Sequence, residues 1–529
     1  MAEIDPLFEV LPQKTLPHGP SLPVSDPNER HFATGHLLTN LKGRTVTSGL
    51  ITGTSQIVQF VLNLGSIMIL ARLLAPQDFG LVAMVTTITG FLRIFNDAGL
   101  STATVQREGI THAQVSNLFW TNVALGGLIS LILAVSAPGV AWFYREPRLV
   151  GVTLALCITF LLTSSTVQHL ALLYRQMRFK IIAVIQCSSL AVGVVVGIGM
   201  AWLKCGYWSL VGMQLSTPVI TFLLTWSASR WRPQLPRRRS GTRSLLGFGA
   251  NLTASSFLWS LARGSDGLFI GRFYGSASLG LYSRAAALVA RPVEQFMSPL
   301  ETVFVPMLSR LQTQPERYRR VVLQAYEVIA VVSFLFSGLL FALAHPLTVV
   351  VLGAKWEKAA AIFAGFTFVA LYIPVASVAG WLLSSQGRGR HFLILSSICS
   401  ALTIVFFLVG LPFGPMGVAT SYSAFCLLVA LPLGYYIAGR EGPVTTTDLW
   451  SRFCKHMPLW GVVCGTTWLT RTLVSNLTPA EQLLICGLIG LLAGVAFVCS
   501  YAPSRHAAMN LLSALQELLK SRRYLSSGK

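Results

Sequence analysis

The chain has 529 residues, of which 53% are hydrophobic and only 11% are charged, with a formal net charge of +21. Soluble domains carry about 25% charged residues, so this composition excludes a water-soluble globule. The basic residues lie in short gaps between apolar blocks and not on one face of a soluble domain, which argues against a nucleic-acid partner.

Residues 1–46 are polar and Pro-rich with no apolar signal-peptide core, and they read as a disordered N-terminal tail. Apolar blocks of a length that crosses a bilayer as a helix then recur at 48–70, 80–105, 116–143, 149–173, 181–203 and 208–228. A basic linker over 230–245 follows, with Arg230, Arg232, Arg237, Arg238, Arg239 and Arg243 acting as a stop-transfer and headgroup anchor. The second series of blocks lies at 246–270, 280–308, 325–352, 360–384, 391–411 and 416–438, and two more lie at 456–473 and 482–502. The expected fold is therefore an all-α integral membrane protein of about fourteen spanning helices. The expected organisation is an N-lobe over 47–229, a C-lobe over 246–440, two extra spans within 441–502, and an amphipathic tail over 503–529. In that tail Leu511, Leu512, Leu515, Leu518 and Leu519 share one helical face.

With the N-terminus placed in the cytoplasm, the internal connections on that side hold nineteen Lys and Arg against eight on the other. This asymmetry places both termini in the cytoplasm. The nine cysteines fall mostly inside apolar blocks, without paired metal-ligand spacing, and read as small apolar core residues. No cofactor or metal is indicated.

The two halves carry an internal repeat. Ala71 through Leu81 aligns with Gly271 through Leu281 at an offset of 200 residues, with Arg72/Arg272, Gly80/Gly280 and Leu81/Leu281 identical. Each copy ends the first helix of its half, turns, and begins the second. Six spans separate the copies, so the repeats are parallel, which is the arrangement of an alternating-access transporter.

Four segments carry a family resemblance: Leu70 to Met84, Ala171 to Lys180, Gly271 to Arg284, and Val305 to Gln312. They resemble the polysaccharide repeat-unit (Wzx-type) flippases of the MOP exporter superfamily, over roughly residues 45 to 440. The resemblance implies a MATE-like two-lobe bundle around a hydrated cavity that opens alternately to each side of the bacterial inner membrane. It implies an undecaprenyl-diphosphate-linked oligosaccharide as substrate, membrane lipids as surroundings, and polysaccharide polymerase and export machinery as functional partners.

Ionisable residues inside spans are costly and mark candidate sites. Those here are Arg93 and Asp97 in the second span, Arg263 and Asp266 in the seventh, and Arg284, Arg291, Glu294 and Glu301 in the eighth. His169 near the end of the fourth is a weaker addition. Arg93/Asp97 are spaced i,i+4, and Arg263/Asp266 and Arg291/Glu294 are spaced i,i+3, so each pair can meet on one helix face. Two readings stay open: local ion pairs that ease insertion, or cavity arginines whose carboxylate neighbours compete with substrate or couple to an ion. Arg93, Asp97, Arg263, Asp266, Arg291 and Glu294 form the candidate substrate-binding set. Arg284 reads as an arginine that snorkels to the interface, and Arg72 and Arg272 as structural. Gln59, Asn63, Asn96, Asn117, Asn122, Gln186, Asn251, Trp259, Tyr282, Gln295, Tyr372 and Trp381 are polar or aromatic candidates for a sugar path.

The competing functions are an ion-coupled exporter of small amphipathic cations and a membrane-embedded glycosyltransferase or polymerase. An enzyme of that kind needs a large extramembrane loop or an acid/base or metal constellation. The outer connections are short, carry no carboxylate cluster, and the chain has no phosphate-cradling P-loop. A transporter is the expected class.

Overall fold

The computed structural model describes residues 41–97, 99–107, 109–236, 243–502 and 505, with the side chains of 41–47, 243–261 and 263 outside that description. The expected tail up to residue 40, the linker core 237–242 and, Arg505 apart, the expected helix over 503–529 all lie outside the described residues.

Every regular element among the described residues is a helix. Its helices are α1 (Leu41–Leu73), α2 (Pro76–Asp97), α3 (Leu100–Gln106), α4 (His112–Tyr144), α5 (Leu149–Arg175), α6 (Phe179–Trp202), α7 (Trp208–Ser229) and α8 (Arg243–Arg310). They continue as α9 (Pro315–Ala342), α10 (Ala344–Leu352), α11 (Ala359–Ser385), α12 (Gly389–Gly410), α13 (Gly414–Phe425), α14 (Leu431–Gly439), α15 (Thr446–Leu473) and α16 (Pro479–Ser500). Among the described residues ten segments are long and apolar enough to cross a membrane. The expected count of fourteen differs because α8 and α15 are not among the ten, and because 389–439 counts once although the chain turns at Gly414 (φ 76°) and α13 packs back on α12.

Two expected spans are interrupted. The block at 325–352 divides at Leu343 into α9 and α10, where Pro346 in the first turn of α10 removes a backbone donor. The block at 416–438 holds a single π-helical turn, Cys426–Ala430, between α13 and α14. Pro432 follows directly; it cannot donate to the carbonyl one turn back, and the ladder widens to accommodate it.

Packing follows the chain order. α1 lies on α6, α4 on α5 and α6 on α7, while α8 and α9 both pack on α11 and α12 lies on α13. α15 packs on α9 and α16 packs on α15, outside the repeated part. α11 is the most enclosed helix, with Phe363, Ala370, Val375, Leu382 and Leu383 fully buried. All nine cysteines are free.

The repeat seen in the sequence reappears as a physical crossing between α2 and α8. α8 breaks at Gly275, whose backbone (φ 77°, ψ −179°) only glycine adopts without strain. Gly275 is the counterpart of Ala75 in the α1–α2 turn. A side chain on Gly80 would overlap the backbone of Ser276, and one on Gly280 would overlap the backbone of Pro76. Residues 76 and 276 are themselves counterparts at the 200-residue offset, so the contact is reciprocal, as a local two-fold axis requires.

The paired arginines also cross between the halves, by different contacts. Arg72 donates from Nη2 to the Val350 carbonyl at 2.9 Å, and its own carbonyl accepts from Lys355 Nζ at 3.2 Å. Arg272 lies over the Phe143 ring, 5.9 Å from its centroid. Each arginine thus reaches from its own half into the other. The buried Trp356 completes the seal by donating to the Ala71 carbonyl at 2.9 Å and meeting Phe79 edge-to-face.

Candidate substrate cavity

Beside this crossing lies a cavity of about 1060 Å³. That is the upper end of the range of small-molecule sites, about 300–1,000 Å³. Helical periodicity decides its lining. Phe79, Val82, Ala83, Thr86, Gly90 and Arg93 line it from one face of α2, and Arg284, Ala287, Leu288, Arg291 and Gln295 line it from one face of α8. α1 contributes Gln56, Gln59 and Asn63, α6 contributes Gln186, and α7 contributes Gln214. α9 and α10 add apolar lining, with Phe336 and Leu340 of α9 and Leu347 and Val351 of α10.

The structure divides the sequence-derived set. Arg93 and Arg291 line the cavity, whereas Asp97, Asp266 and Glu294 are not among its lining residues. The side chain of Arg263 lies outside the described residues. The Arg93/Asp97 and Arg291/Glu294 ion pairs that the spacing allows do not form. Asp97 instead accepts from the Ser101 backbone N–H at 2.9 Å and from the Ser101 hydroxyl, closing the turn into α3. Asp266 accepts from the Tyr282 hydroxyl at 2.8 Å inside the α8–α11 packing. Glu294 is engaged elsewhere, and Glu301 is exposed.

Arg284 departs from expectation. It does not reach the interface but lines the cavity, its guanidinium 5.1 Å from the centroid of Phe79 and its Nε buried without a protein partner. A sequence signal for this existed: Arg284 and Arg291 are seven residues apart, which is two turns on one face. Arg93, Arg284 and Arg291 thus bring three positive charges to one space, and no described carboxylate lines it. Such a site accepts anionic oxygens, with guanidinium donors matched to phosphate geometry.

Of the sugar-path candidates, Gln59, Asn63, Gln186 and Gln295 line the cavity. Asn96 accepts from Ser164 Oγ at 2.7 Å within the N-terminal half, Trp381 stacks on Phe304, and Asn122 is buried without a partner. Asn117 and Tyr372 are engaged in contacts of their own away from the cavity lining, as is Tyr282 through Asp266. Asn251 and Trp259 have side chains outside the described residues. His169 is buried against Phe119, Trp226 and Trp231, stacked on Trp226 at 4.5 Å, away from the cavity.

Residues 69–361 match the family described as polysaccharide biosynthesis protein. Teichuronic acid biosynthesis protein TuaB of Bacillus subtilis is 29% identical over 67% of this chain and 72% of its own. Succinoglycan biosynthesis transport protein ExoT of Rhizobium meliloti is 26% identical over 57% of this chain and 61% of its own. Lipopolysaccharide biosynthesis protein WzxC of Escherichia coli is 22% identical over 66% and 71%. Among solved structures, the lipid II flippase MurJ in an inward closed conformation superposes with a TM-score of 0.63 at 12% identity, over 86% of this chain and 98% of that one. An inward-facing MATE family multidrug transporter of the MOP superfamily gives 0.58 at 15% identity, over 74% and 96%. With a family match over more than half of its length and a helical bundle shared with the MurJ and MATE structures, this chain belongs to the polysaccharide biosynthesis protein family.

Proposed function

We propose that the protein is a flippase that moves undecaprenyl-diphosphate-linked oligosaccharide repeat units from the cytoplasmic to the periplasmic leaflet by alternating access. The observation that carries this reading is the convergence of Arg93, Arg284 and Arg291 on one large cavity with no described carboxylate in its lining. A diphosphate needs cationic partners, and a lipid bilayer otherwise offers it none. The reciprocal Gly80–Ser276 and Gly280–Pro76 contacts act as the periplasmic gate, and both termini lie in the cytoplasm. Rocking of the two halves about that crossing moves the opening from one side to the other. An exporter of organic cations is disfavoured by the same charge count, because three arginines repel a cationic substrate.

The test is deletion of the gene in its host, with lipid-linked oligosaccharide and surface polysaccharide both quantified. Loss of polymer with complete repeat units trapped in the cytoplasmic leaflet is the expected result, restored by wild type and not by Arg291→Ala at equal membrane level. Repeat units that reach the periplasmic leaflet normally in the deletion strain would overturn the proposal.

A further inference from the structure

The three cavity arginines all come from α2 and α8, whereas most of the uncharged polar lining comes from α1, α6 and α7. Within that second wall one pair is built as a unit. Gln59 Nε2 donates to Ser55 Oγ at 3.0 Å and to Gln186 Oε1 at 3.2 Å, joining α1 to α6. Both hydrogens of the Gln59 amide are used in this way. What remains at the cavity is the Gln59 carbonyl oxygen, an acceptor, beside the Gln186 amino group, a double donor. Neither has a further partner among the described residues, and neither is sealed inside the protein.

Asn63 continues the row one turn along α1, its Nδ2 held by the Gln59 carbonyl of the main chain at 2.9 Å. Phe179, seven residues before Gln186 on the same face of α6, also lines the cavity and meets the lining residue Tyr174 edge-to-face at 6.0 Å. An adjacent fixed donor and acceptor match two neighbouring hydroxyls, and aromatic faces suit the C–H faces of a sugar ring. This wall carries no charge, so it gives no complement to an ionised sugar.

We propose that Gln59 and Gln186 form a glycan subsite that receives a neutral sugar of the substrate while the arginines of α2 and α8 hold its diphosphate. This assignment rests on the flippase reading. Because each amide is already fixed by the other, little side-chain freedom is lost when a sugar binds.

The full chain, purified in detergent, is titrated with two probes: farnesyl diphosphate, and farnesyl diphosphate carrying one glucose. Wild type binds the glucose-bearing probe more tightly. Gln59→Leu and Gln186→Leu weaken that probe by about tenfold, the scale of two lost hydrogen bonds, and leave the sugarless probe within about twofold. The uncharged Gln186→Met, which nearly keeps the packing volume, produces the same selective loss. Arg291→Ala weakens both probes. Amide variants that weaken both probes alike, or neither, overturn the subsite, as does a wild type with no preference for the sugar. A wild type that binds neither probe overturns the flippase reading itself, and the subsite with it.

Discussion

Arg93, Arg284 and Arg291 share a cavity although they come from two helices and from positions with different local neighbours. Sequence spacing offered Arg93 and Arg291 a carboxylate within one turn, and the structure declined both, using Asp97 to close the turn into α3. Arg93→Ala and Arg291→Ala are each expected to abolish complementation in the deletion strain. Arg291→Lys, which keeps the charge but loses the planar fork, is expected to leave a partial level, measured as polymer per unit of membrane-inserted protein. Asn122 is the opposite kind of residue, a buried amide with neither polar atom partnered. Replacing it by leucine removes a desolvated polar group, so Asn122→Leu is expected to leave the melting temperature in detergent unchanged or raised. Gln59 and Gln186 were legible individually as polar residues in spans, but the bond between them was not, since 127 residues separate them.

At the scale of elements, two contacts outside the apolar spans fix how helices are joined. The extended segment after α7 buries Trp231 completely against Phe119 and His169, while Trp120 Nε1 donates to the Gln234 carbonyl at 2.8 Å. This ties the start of the basic linker to α4 and α5. Trp231→Ala is expected to cost about 3–5 kcal/mol and to lower the melting temperature. Removing the exposed Arg230 is expected to do neither, because its side chain packs against nothing comparable. The second contact joins the appended α15 to α9. Asp448, in the first turn of α15 ahead of the 456–473 span, takes Arg319 bidentately at 2.8 and 3.1 Å and caps its own helix through Thr445. Burial pushes this carboxyl up, but the Arg319 and Thr445 hydrogen bonds outweigh it and hold the pKa at about 2. Its folded value lies below the ordinary 3.8, so its stabilisation is complete above that value and is lost as pH falls from there through about 2. Asp448→Asn is accordingly expected to flatten the acid limb of the melting-temperature profile between those pH values, with little effect on its shape at neutral pH.

Taken whole, the molecule is two halves that meet through counterpart residues. The crossing is tight enough that any side chain at position 80 or 280 collides with backbone, so Gly80→Val and Gly280→Val are each expected to hold the gate apart. The measurement is labelling of a cysteine introduced at Thr86, in the cavity lining, with the nine native cysteines replaced by serine, by a membrane-impermeant maleimide added to intact spheroplasts. Wild type is expected to label slowly and both valine variants quickly. Equal rates would remove the crossing from the gating account.

The sequence by itself determined the class and the broad order of this protein. Hydrocarbon admits only helices and closed barrels, whose backbone groups are internally paired, and continuous apolar blocks of about 20 residues fit only the helix, so block length specified a helical membrane bundle. The repeat was visible too, because Arg72/Arg272 and Gly80/Gly280 are identical at one offset, and the two glycines make the equivalent close backbone contact. Only the tertiary structure decided which charged side chains share a space. Within one helix, i,i+3 and i,i+4 spacing states only what can meet, whereas a cavity is set by which faces of distant helices turn toward one another. That geometry moved Arg284 from the interface into the cavity and joined Gln59 to Gln186. It also left Asp97, Asp266 and Glu294 to other partners.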